Sequence, residues 1–325
     1  MKPAKTEQRN SRSRGLDRKS TLGILRALNR EDARVAPAVR REIPNIARAV
    51  DAIVNSLRGG GKLYYVGAGT SGRLAVLDAA ECPPTFGTPA RKVRAVIAGG
   101  ARAFRHAAED AEDSARNGAR DLRREDISKS DVVVGLSASG TTPYVVGAID
   151  FAGKIGAVTV CVTSNPGSPL AKRAQIVIAP NTGPEALAGS TRLKAGTAQK
   201  LVLNMLSTAS MARLGRVYGN WMVYVALTNR KLRQRGARIL QEAAGVSPSV
   251  AEHALRQSDY NLPAALVILK TGASARQARH LLAKSSGNVR QALEAARNAA
   301  THRRETARTG PILAAPRRRS RPRPR

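Results

Sequence analysis

One pattern occurs twice in this sequence and limits the folds that it can adopt. A short apolar run is followed by a loop of glycine and hydroxyl residues and then by a helical composition. The apolar runs are residues 63–66 and 131–136, and the loops are residues 67–72 and 137–142. Apolar runs of this length predict buried strands. Because a helix N-terminus offers free N–H groups and a positive dipole, both loops are predicted to bind phosphate.

Strands and helices alternate through the middle of the chain. Further apolar runs predict strands at residues 93–98, 157–162 and 176–179, each separated from the next by helical or loop composition. This alternation predicts an α/β fold with a mainly parallel sheet flanked by helices. Ligands of such sheets bind at the carboxyl ends of the strands, which is where both loops lie.

Composition divides the chain into four predicted regions. Residues 1–19 are basic and predicted to be disordered, residues 20–235 form the α/β domain, residues 236–298 form a small helical module, and residues 299–325 form a disordered Arg/Pro tail. The net charge is +32, and the two tails contribute much of it. Such charge indicates either a composition bias or nonspecific contact with polyanions by the tails.

Several local signals sharpen this prediction. Helices are predicted at residues 101–122 and 220–235. Pro83 and Pro84 are predicted to stop the helix that follows the first loop, so that Glu81 lies at its end. A carboxylate one short helix away from a phosphate loop suggests acid–base chemistry on a phosphorylated small molecule, although a solvated surface glutamate is the alternative.

Other classes of protein fit the sequence less well. No apolar run approaches the ~18 residues of a membrane span, and the N-terminus lacks the apolar stretch of a signal peptide. The only cysteines are Cys82 and Cys161, which favours a reduced, cytoplasmic protein without a disulfide framework, and Cys82 is interpreted as a buried structural thiol. The glycine spacing of residues 67–72 matches a dinucleotide fingerprint, but the next strand ends in Ala-Gly-Gly rather than in an acidic residue.

Three longer stretches carry a family resemblance. They are GAGTSGRLAVLDAAECPPTFG at residues 67–87, LSASGTTPYVVGAI at 136–149 and GPEALAGSTRLKAGTAQKLVLNMLST at 183–208. These stretches resemble the N-acetylmuramic acid 6-phosphate etherase family of the sugar isomerase (SIS) superfamily, to which the glucokinase regulatory protein is related. The resemblance extends over about residues 6–297, and the C-terminal helical module resembles a ubiquitin-associated (UBA-like) domain.

This resemblance implies a lyase. The family cleaves the D-lactyl ether of N-acetylmuramic acid 6-phosphate to N-acetylglucosamine 6-phosphate and D-lactate, by elimination and then hydration, in peptidoglycan recycling. By residue match, Glu81 is the acid that protonates the departing lactate, and Glu112 is the base or water activator. The resemblance implies neither a metal nor another cofactor, and it implies a homodimer whose site draws on both subunits.

The resemblance also implies a set of substrate contacts. Predicted contacts are Ser71, Gly72, Ser137, Ser139, Thr141, Thr142, Ser190 and Lys194. Arg192 belongs to the same signature as Ser190 and Lys194, and for these three residues packing and ion pairing are the alternative. Trp221 and Tyr224 depart from the family pattern, away from the proposed site.

Two other functions stay open from the sequence. A non-catalytic phosphosugar sensor would need neither Glu81 nor Glu112, so the presence of both favours the enzyme. A nucleic-acid regulator is suggested only by the charge. With 3% aromatic residues, the chain offers few stacking platforms for bases.

Overall fold

A five-stranded sheet organises the computed structural model, which describes residues 5–106 and 108–308. The strands are all parallel, in the order β2-β1-β3-β4-β5. Their bounds are β1 Leu63–Gly67, β2 Val93–Ile97, β3 Val132–Leu136, β4 Val158–Val162 and β5 Ile176–Ile178. The prediction of an α/β fold with a parallel sheet is therefore confirmed.

Helices cover both faces of this sheet. In chain order they are α1 Thr21–Asp32, α2 Val35–Arg40, α3 Ile43–Arg58, α4 Gly69–Phe86, α5 Ala115–Arg123, α6 Pro143–Lys154 and α7 Lys194–Arg213. Helices α2, α3, α4 and α7 share one apolar core with the sheet, and α5 and α6 share the other. Alternate residues of β1 serve the two cores, with Tyr65 in the first and Tyr64 in the second. Burial on both faces explains why the strands read as continuous apolar runs.

A second unit begins at Gln234, and the first ends at Arg233. Helix α8, Arg230–Ala244, spans this boundary, and it is followed by α9 Pro248–Gln257, α10 Leu262–Thr271, α11 Ala275–Lys284 and α12 Val289–Arg308. Helix α10 is the centre of this unit, because it contacts α9, α11 and α12 and is buried along most of its length. Its resemblance to a UBA-like domain stays a prediction.

The helix that follows the first loop, α4, runs farther than predicted. Helix α4 continues through Pro83 and Pro84 to Phe86 and ends at Gly87, whose N–H bonds to the carbonyl of Pro83 and whose φ is 61°. The prolines remove two N–H donors near the C-terminus, but their fixed φ is compatible with a helix, so one more turn forms. Glu81 therefore lies within α4 rather than beyond its end.

Residues 101–122 do not form the single helix that was predicted. Two short 3₁₀ turns, Gly100–Phe104 and Glu109–Glu112, precede α5. The side chain of Arg73 donates to the carbonyls of Ala103, Phe104 and His106, at 3.1–3.3 Å. Since a continuous helix needs carbonyls of this kind for its own hydrogen bonds, Arg73 favours the broken path.

The prediction of a helix at residues 220–235 is also wrong for residues 220–229. Tyr218 and Trp221 form an isolated bridge, and α8 begins only at Arg230, after Asn229 accepts the N–H of Leu232. Tyr224, one of the two departures from the family pattern, packs against Gly87 and stacks under the guanidinium of Arg216.

The described parts of the two chain ends contain helical turns. Residues 5–18 form three 3₁₀ turns with Thr6, Asn10 and Ser13 buried, because polar contacts described below hold them against the α/β unit. Helix α12 continues to Arg308, past the predicted start of the tail. Residues 1–4 and 309–325 lie outside the described part of the chain. Within the described part, no helix has the length and apolarity needed to cross a membrane.

Candidate active site

A cleft lies between the neighbouring strands β1 and β3, because the connections that follow them cross to opposite faces of the sheet. From β1 the chain crosses through α4 on one face of the sheet, and from β3 it crosses through α6 on the other. The two loops therefore diverge and leave a crevice at the carboxyl ends of β1 and β3. This switch-point cleft has a volume of about 170 Å³, and its polar lining residues are Glu7, Thr70, Ser71, Glu112, Ser137, Ser139, Thr142 and Thr191.

Hydroxyl groups form one wall of the cleft. The Oγ of Ser137 lies 2.9 Å from Oγ1 of Thr142 and accepts the N–H of Gly140 at 3.0 Å. The Oγ of Ser139 lies 2.8 Å from Oγ1 of Thr141. Thr141 is exposed and outside the lining, so it orients Ser139 rather than facing the cleft itself. The structure thus brings three of the four predicted residues of this loop into one place.

The segment between β4 and β5 holds this loop from behind. Thr163 Oγ1 donates to the carbonyl of Ala138 at 3.2 Å, and Asn165 Nδ2 donates to that of Ser139 at 3.3 Å. Gly140 has a φ of 69°, and a Cβ there would lie 2.1 Å from Oγ of Ser168. A glycine is therefore required for the loop to pass this close to its support.

The first loop contributes less to the cleft than was predicted. Ser71 lines it, but Gly72 lies underneath, where a Cβ would come within 2.6 Å of Ile97. The N–H of Gly72 is already used by the carbonyl of Ala68. The geometry of one chain therefore does not support the substrate contact predicted at Gly72, and this glycine lets α4 pack closely on the sheet.

Glu112 reaches the cleft from the second 3₁₀ turn. It is half-buried, and a Cβ on Gly69 would lie 2.9 Å from its Oε1. Its carboxylate is therefore next to the N-terminus of α4, where the helix dipole favours a negative charge. The structure thus brings Glu112 together with Ser71 and with the hydroxyl wall.

Glu81 lies elsewhere in the same chain. It follows Gly69 by twelve residues of α4, which places it about 18 Å farther along the helix axis. Its side chain is exposed and borders a different pocket of about 190 Å³, together with Asp78 and Lys200. One chain alone does not bring the two predicted catalytic glutamates together.

The surroundings of Glu81 are partly buried. Burial raises the pKa of Asp78, one turn before Glu81, to about 6, and Ser207 donates to its Oδ1 at 3.1 Å. Burial likewise raises the pKa of the Cys82 thiol to about 12, and this thiol donates to the carbonyl of Asp78. Cys82 is thus the buried, inert thiol that was predicted, and not a nucleophile.

Lys194 does not reach the cleft. It is 0% exposed, and its Nζ donates to Oε2 of Glu31 at 2.6 Å and to the carbonyl of Thr182 at 3.0 Å. Arg12 and Asn10 bind the same Glu31 carboxylate. These contacts fit the alternative for Lys194, ion pairing, and its predicted substrate contact has no support in the geometry of one chain. Ser190 is half-buried and outside the lining, although its neighbours Gly189 and Thr191 belong to it, and Arg192 is exposed.

Burial and hydrogen-bond partners shift the pKa of Glu31 in opposite directions. Burial would raise its pKa, but hydrogen bonds from Arg12, Lys194 and Asn10 outweigh this and lower the pKa of Glu31 to about 2. Glu185 is a second structural carboxylate. At the start of α7 it accepts the N–H groups of Lys194 and Ala195 at 3.0 and 2.8 Å. Glu185 and Lys194 of the family signature therefore make structural contacts, whereas Gly189 and Thr191 of the same stretch line the cleft.

Three polar residues of the cleft were not predicted from the sequence, namely Thr70, Thr191 and Glu7, of which Glu7 is the carboxylate. Glu7 lies in a segment predicted to be disordered, and no local pattern marks it as functional. The long-range contacts of Thr6, Asn10 and Arg12 explain its position. Within the described residues, no cluster of three or more His, Cys, Asp or Glu side chains suits a metal ion.

The fold and one family match define an α/β protein that contains a domain of the SIS class. Residues 45–153 match the family model of the glucokinase regulatory protein N-terminal SIS domain. Two phosphoheptose isomerases are distant structural likenesses. The one from Neisseria gonorrhoeae has a TM-score of 0.44 at 16% identity, covering 59% of this chain and 100% of that one. The one from Francisella tularensis has a TM-score of 0.45 at 15% identity, covering 60% and 100%.

Much stronger similarity relates the chain to one group of curated proteins. The N-acetylmuramic acid 6-phosphate etherases of Yersinia pestis (strain Pestoides F) and Yersinia pseudotuberculosis (serotype O:1b, strain IP 31758) are each 52% identical to it over 288 residues. These alignments cover 89% of this chain and 98% of each relative. The chain belongs to the N-acetylmuramic acid 6-phosphate etherase family.

Proposed function

We propose that this chain cleaves the D-lactyl ether of N-acetylmuramic acid 6-phosphate, giving N-acetylglucosamine 6-phosphate and D-lactate. The observation that carries the proposal is the switch-point cleft, in which Glu112 and the hydroxyl wall face one small volume. Its 52% identity to etherases supports the same substrate. We place the reaction in peptidoglycan recycling in the cytoplasm.

The phosphate binds to neutral donors. The cleft lining contains neither lysine nor arginine among the described residues, so hydroxyl and backbone N–H groups supply the contacts. Ser137, Ser139 and Thr142 hold the phosphate, with Ser71 on the opposite side. The N-termini of α4 and α6 supply the positive electrostatic potential that a dianion needs.

Glu112 acts as the base. Opening of the sugar ring produces an aldehyde, which makes the C2 proton acidic, and the Glu112 carboxylate removes this proton. The electron pair forms the C2–C3 double bond, and the lactate oxygen leaves from C3 with a proton from an acid. Water then adds across this double bond, and the added hydroxyl replaces lactate at C3. General acid and base groups of this kind suffice without a redox step.

Glu81 is the acid, and it acts in the cleft of a second copy of the chain. The distance along α4 separates Glu81 from its own cleft, and a cleft of 170 Å³ is smaller than the ~300 Å³ or more usual for a site that encloses a small ligand. Leu77, one turn before Glu81, is 47% exposed, and Met205 on α7 is 37% exposed. An apolar surface around an exposed acid suits a homodimer contact that completes the partner's site.

Release of D-lactate tests the reaction directly. We expect the purified protein to release D-lactate from N-acetylmuramic acid 6-phosphate. We expect Glu112→Gln to lower the rate by about 10²–10⁴-fold, because the substitution removes the base and keeps the shape. Enzymatic determination of lactate measures the rate, and Asp17→Asn, an exposed carboxylate of the N-terminal segment, is the matched control. Binding of phosphosugars without lactate release would instead identify a phosphosugar sensor.

The proposed dimer has its own test. We expect wild-type protein to elute as a dimer in size-exclusion chromatography with light scattering, and Leu77→Asp to shift it toward the monomer, because a charge would be buried at the contact. Val250→Asp, at a similarly exposed valine of the C-terminal unit, is the control. A monomeric wild-type protein with full activity would contradict the shared site.

A further inference from the structure

The N-terminal segment brings an additional carboxylate to the switch-point cleft. Glu7 lines the cleft together with Gly189 and Thr191, on a segment that precedes the α/β fold. Its Oε2 would lie 3.2 Å from a Cβ on Gly189, which has a φ of 78°. The usual interpretation of an exposed glutamate this near the N-terminus is a solvated charge. The way in which the segment is held argues against this interpretation.

Hydrogen bonds on both sides of Glu7 fix the segment. On one side, the N–H of Gly189 donates to the carbonyl of Thr6 at 3.2 Å, and Thr6 is 1% exposed. On the other side, Asn10 Nδ2 donates to the carbonyl of Pro184 at 3.1 Å and to Glu31 at 2.7 Å. Asn10 is itself only 6% exposed. Buried polar contacts of this kind are costly to leave unmade, so they hold the backbone of Glu7 beside the cleft.

The charge of Glu7 determines which part of a ligand it can face. A carboxylate only accepts hydrogen bonds, and it repels the dianionic phosphate that suits the hydroxyl wall. Sugar hydroxyl groups are donors and fit a carboxylate. We propose that Glu7 accepts hydrogen bonds from the hydroxyl groups of the bound sugar, so that the N-terminal segment is part of the substrate site. This inference rests on the proposed phosphosugar site, but not on the chemistry that follows binding.

Binding measurements separate the sugar contact from the phosphate contact. Isothermal titration calorimetry with N-acetylglucosamine 6-phosphate and with inorganic phosphate would compare the wild-type protein, Glu7→Gln and the control Asp17→Asn, which changes an exposed carboxylate of the same segment. We expect Glu7→Gln to weaken phosphosugar binding by about ten- to a hundredfold, because a charged hydrogen bond is lost, and to leave phosphate binding within about twofold. Asp17→Asn should leave both affinities unchanged.

Each other result has a distinct meaning. Unchanged phosphosugar affinity in Glu7→Gln would overturn the inference, and so would an equal loss for both ligands, which would indicate a structural role of the segment. A wild-type protein that binds neither ligand would overturn the phosphosugar site and this inference with it. Failure to release lactate, with phosphosugar binding present and weakened by Glu7→Gln, would contradict the etherase activity and support the Glu7 contact.

Discussion

A mixture of two inactive variants, Glu81→Gln and Glu112→Gln, is expected to recover about a quarter of the wild-type activity after the subunits are exchanged. Random exchange makes about half of the dimers mixed. In each mixed dimer, one of the two sites receives a native Glu81 from one subunit and a native Glu112 from the other. The other site receives both substitutions. Release of D-lactate before and after exchange measures the recovery.

A matched mixture tests the opposite arrangement. Wild-type protein exchanged with an equal amount of the double variant Glu81→Gln/Glu112→Gln should lose about half of its activity, because neither site of a mixed dimer has both glutamates. If Glu81 and Glu112 acted within one chain, this mixture would keep its full activity. The two single variants would then show no recovery. The pair of mixtures therefore decides between the two arrangements whatever the absolute rates are.

Glu31→Gln is expected to cause a large loss of stability, lowering the free energy of unfolding by about 3–5 kcal/mol. The substitution leaves the Lys194 ammonium buried, with the carbonyl of Thr182 as its remaining partner among the contacts described above. Lys194→Met should cost less, because Glu31 keeps Arg12 and Asn10. Urea unfolding followed by tryptophan fluorescence measures the free energy of unfolding of both variants. Trp221 is the only tryptophan in the sequence and lies in the first unit, so the signal reports on that unit.

Asp51→Asn is the control for this comparison. Asp51 pairs with Arg213 at 3.0 Å, but both side chains are 58% exposed, so the loss should stay below about 1 kcal/mol. Equal losses for Asp51→Asn and Glu31→Gln would contradict the special role of the buried pair. Greater loss for Lys194→Met than for Glu31→Gln would show that the ammonium, and not the carboxylate, is the better supported group.

A low pH should weaken the ion pair between Glu31 and Lys194. The pKa of Glu31 is about 2 in the folded protein, below its ordinary value of 4.5, so its contribution is present above pH 4.5 and is lost as the pH falls toward 2. The difference between wild type and Glu31→Gln should therefore shrink by an amount on the order of 3 kcal/mol over this range. A constant difference would show that the folded pKa is not lowered.

The sheet and the hydroxyl wall could be predicted because their signals are local. A buried parallel strand is apolar along its length, and the loop of residues 137–142 contains the hydroxyls and the glycine within six positions. The same reasoning failed at Pro83 and Pro84, where a general preference against proline in helices was overridden by the packing of α4 on the sheet.

The rest of the cleft depends on contacts between distant parts of the sequence. Glu7 has no periodic or motif signal, and it is positioned by residues around 184–194. Lys194 carries the charge expected of a phosphate ligand, but its burial beside Glu31 became visible only in three dimensions. Glu81 was predicted as part of one site with Glu112, and the length of α4 separates them within one chain.

The bond between Lys194 and Glu31 also has a consequence for the order in which the protein can fold. Its partners are 163 residues apart in sequence, and Asn10 and Pro184 are 174 apart. Closing loops of this length is costly in entropy and therefore slow, whereas the turns and helices within each segment form early. Residues 5–18 can therefore make these contacts only once the segment of residues 182–194 is in place. The side of the switch-point cleft that Glu7 lines is therefore expected to form late in folding.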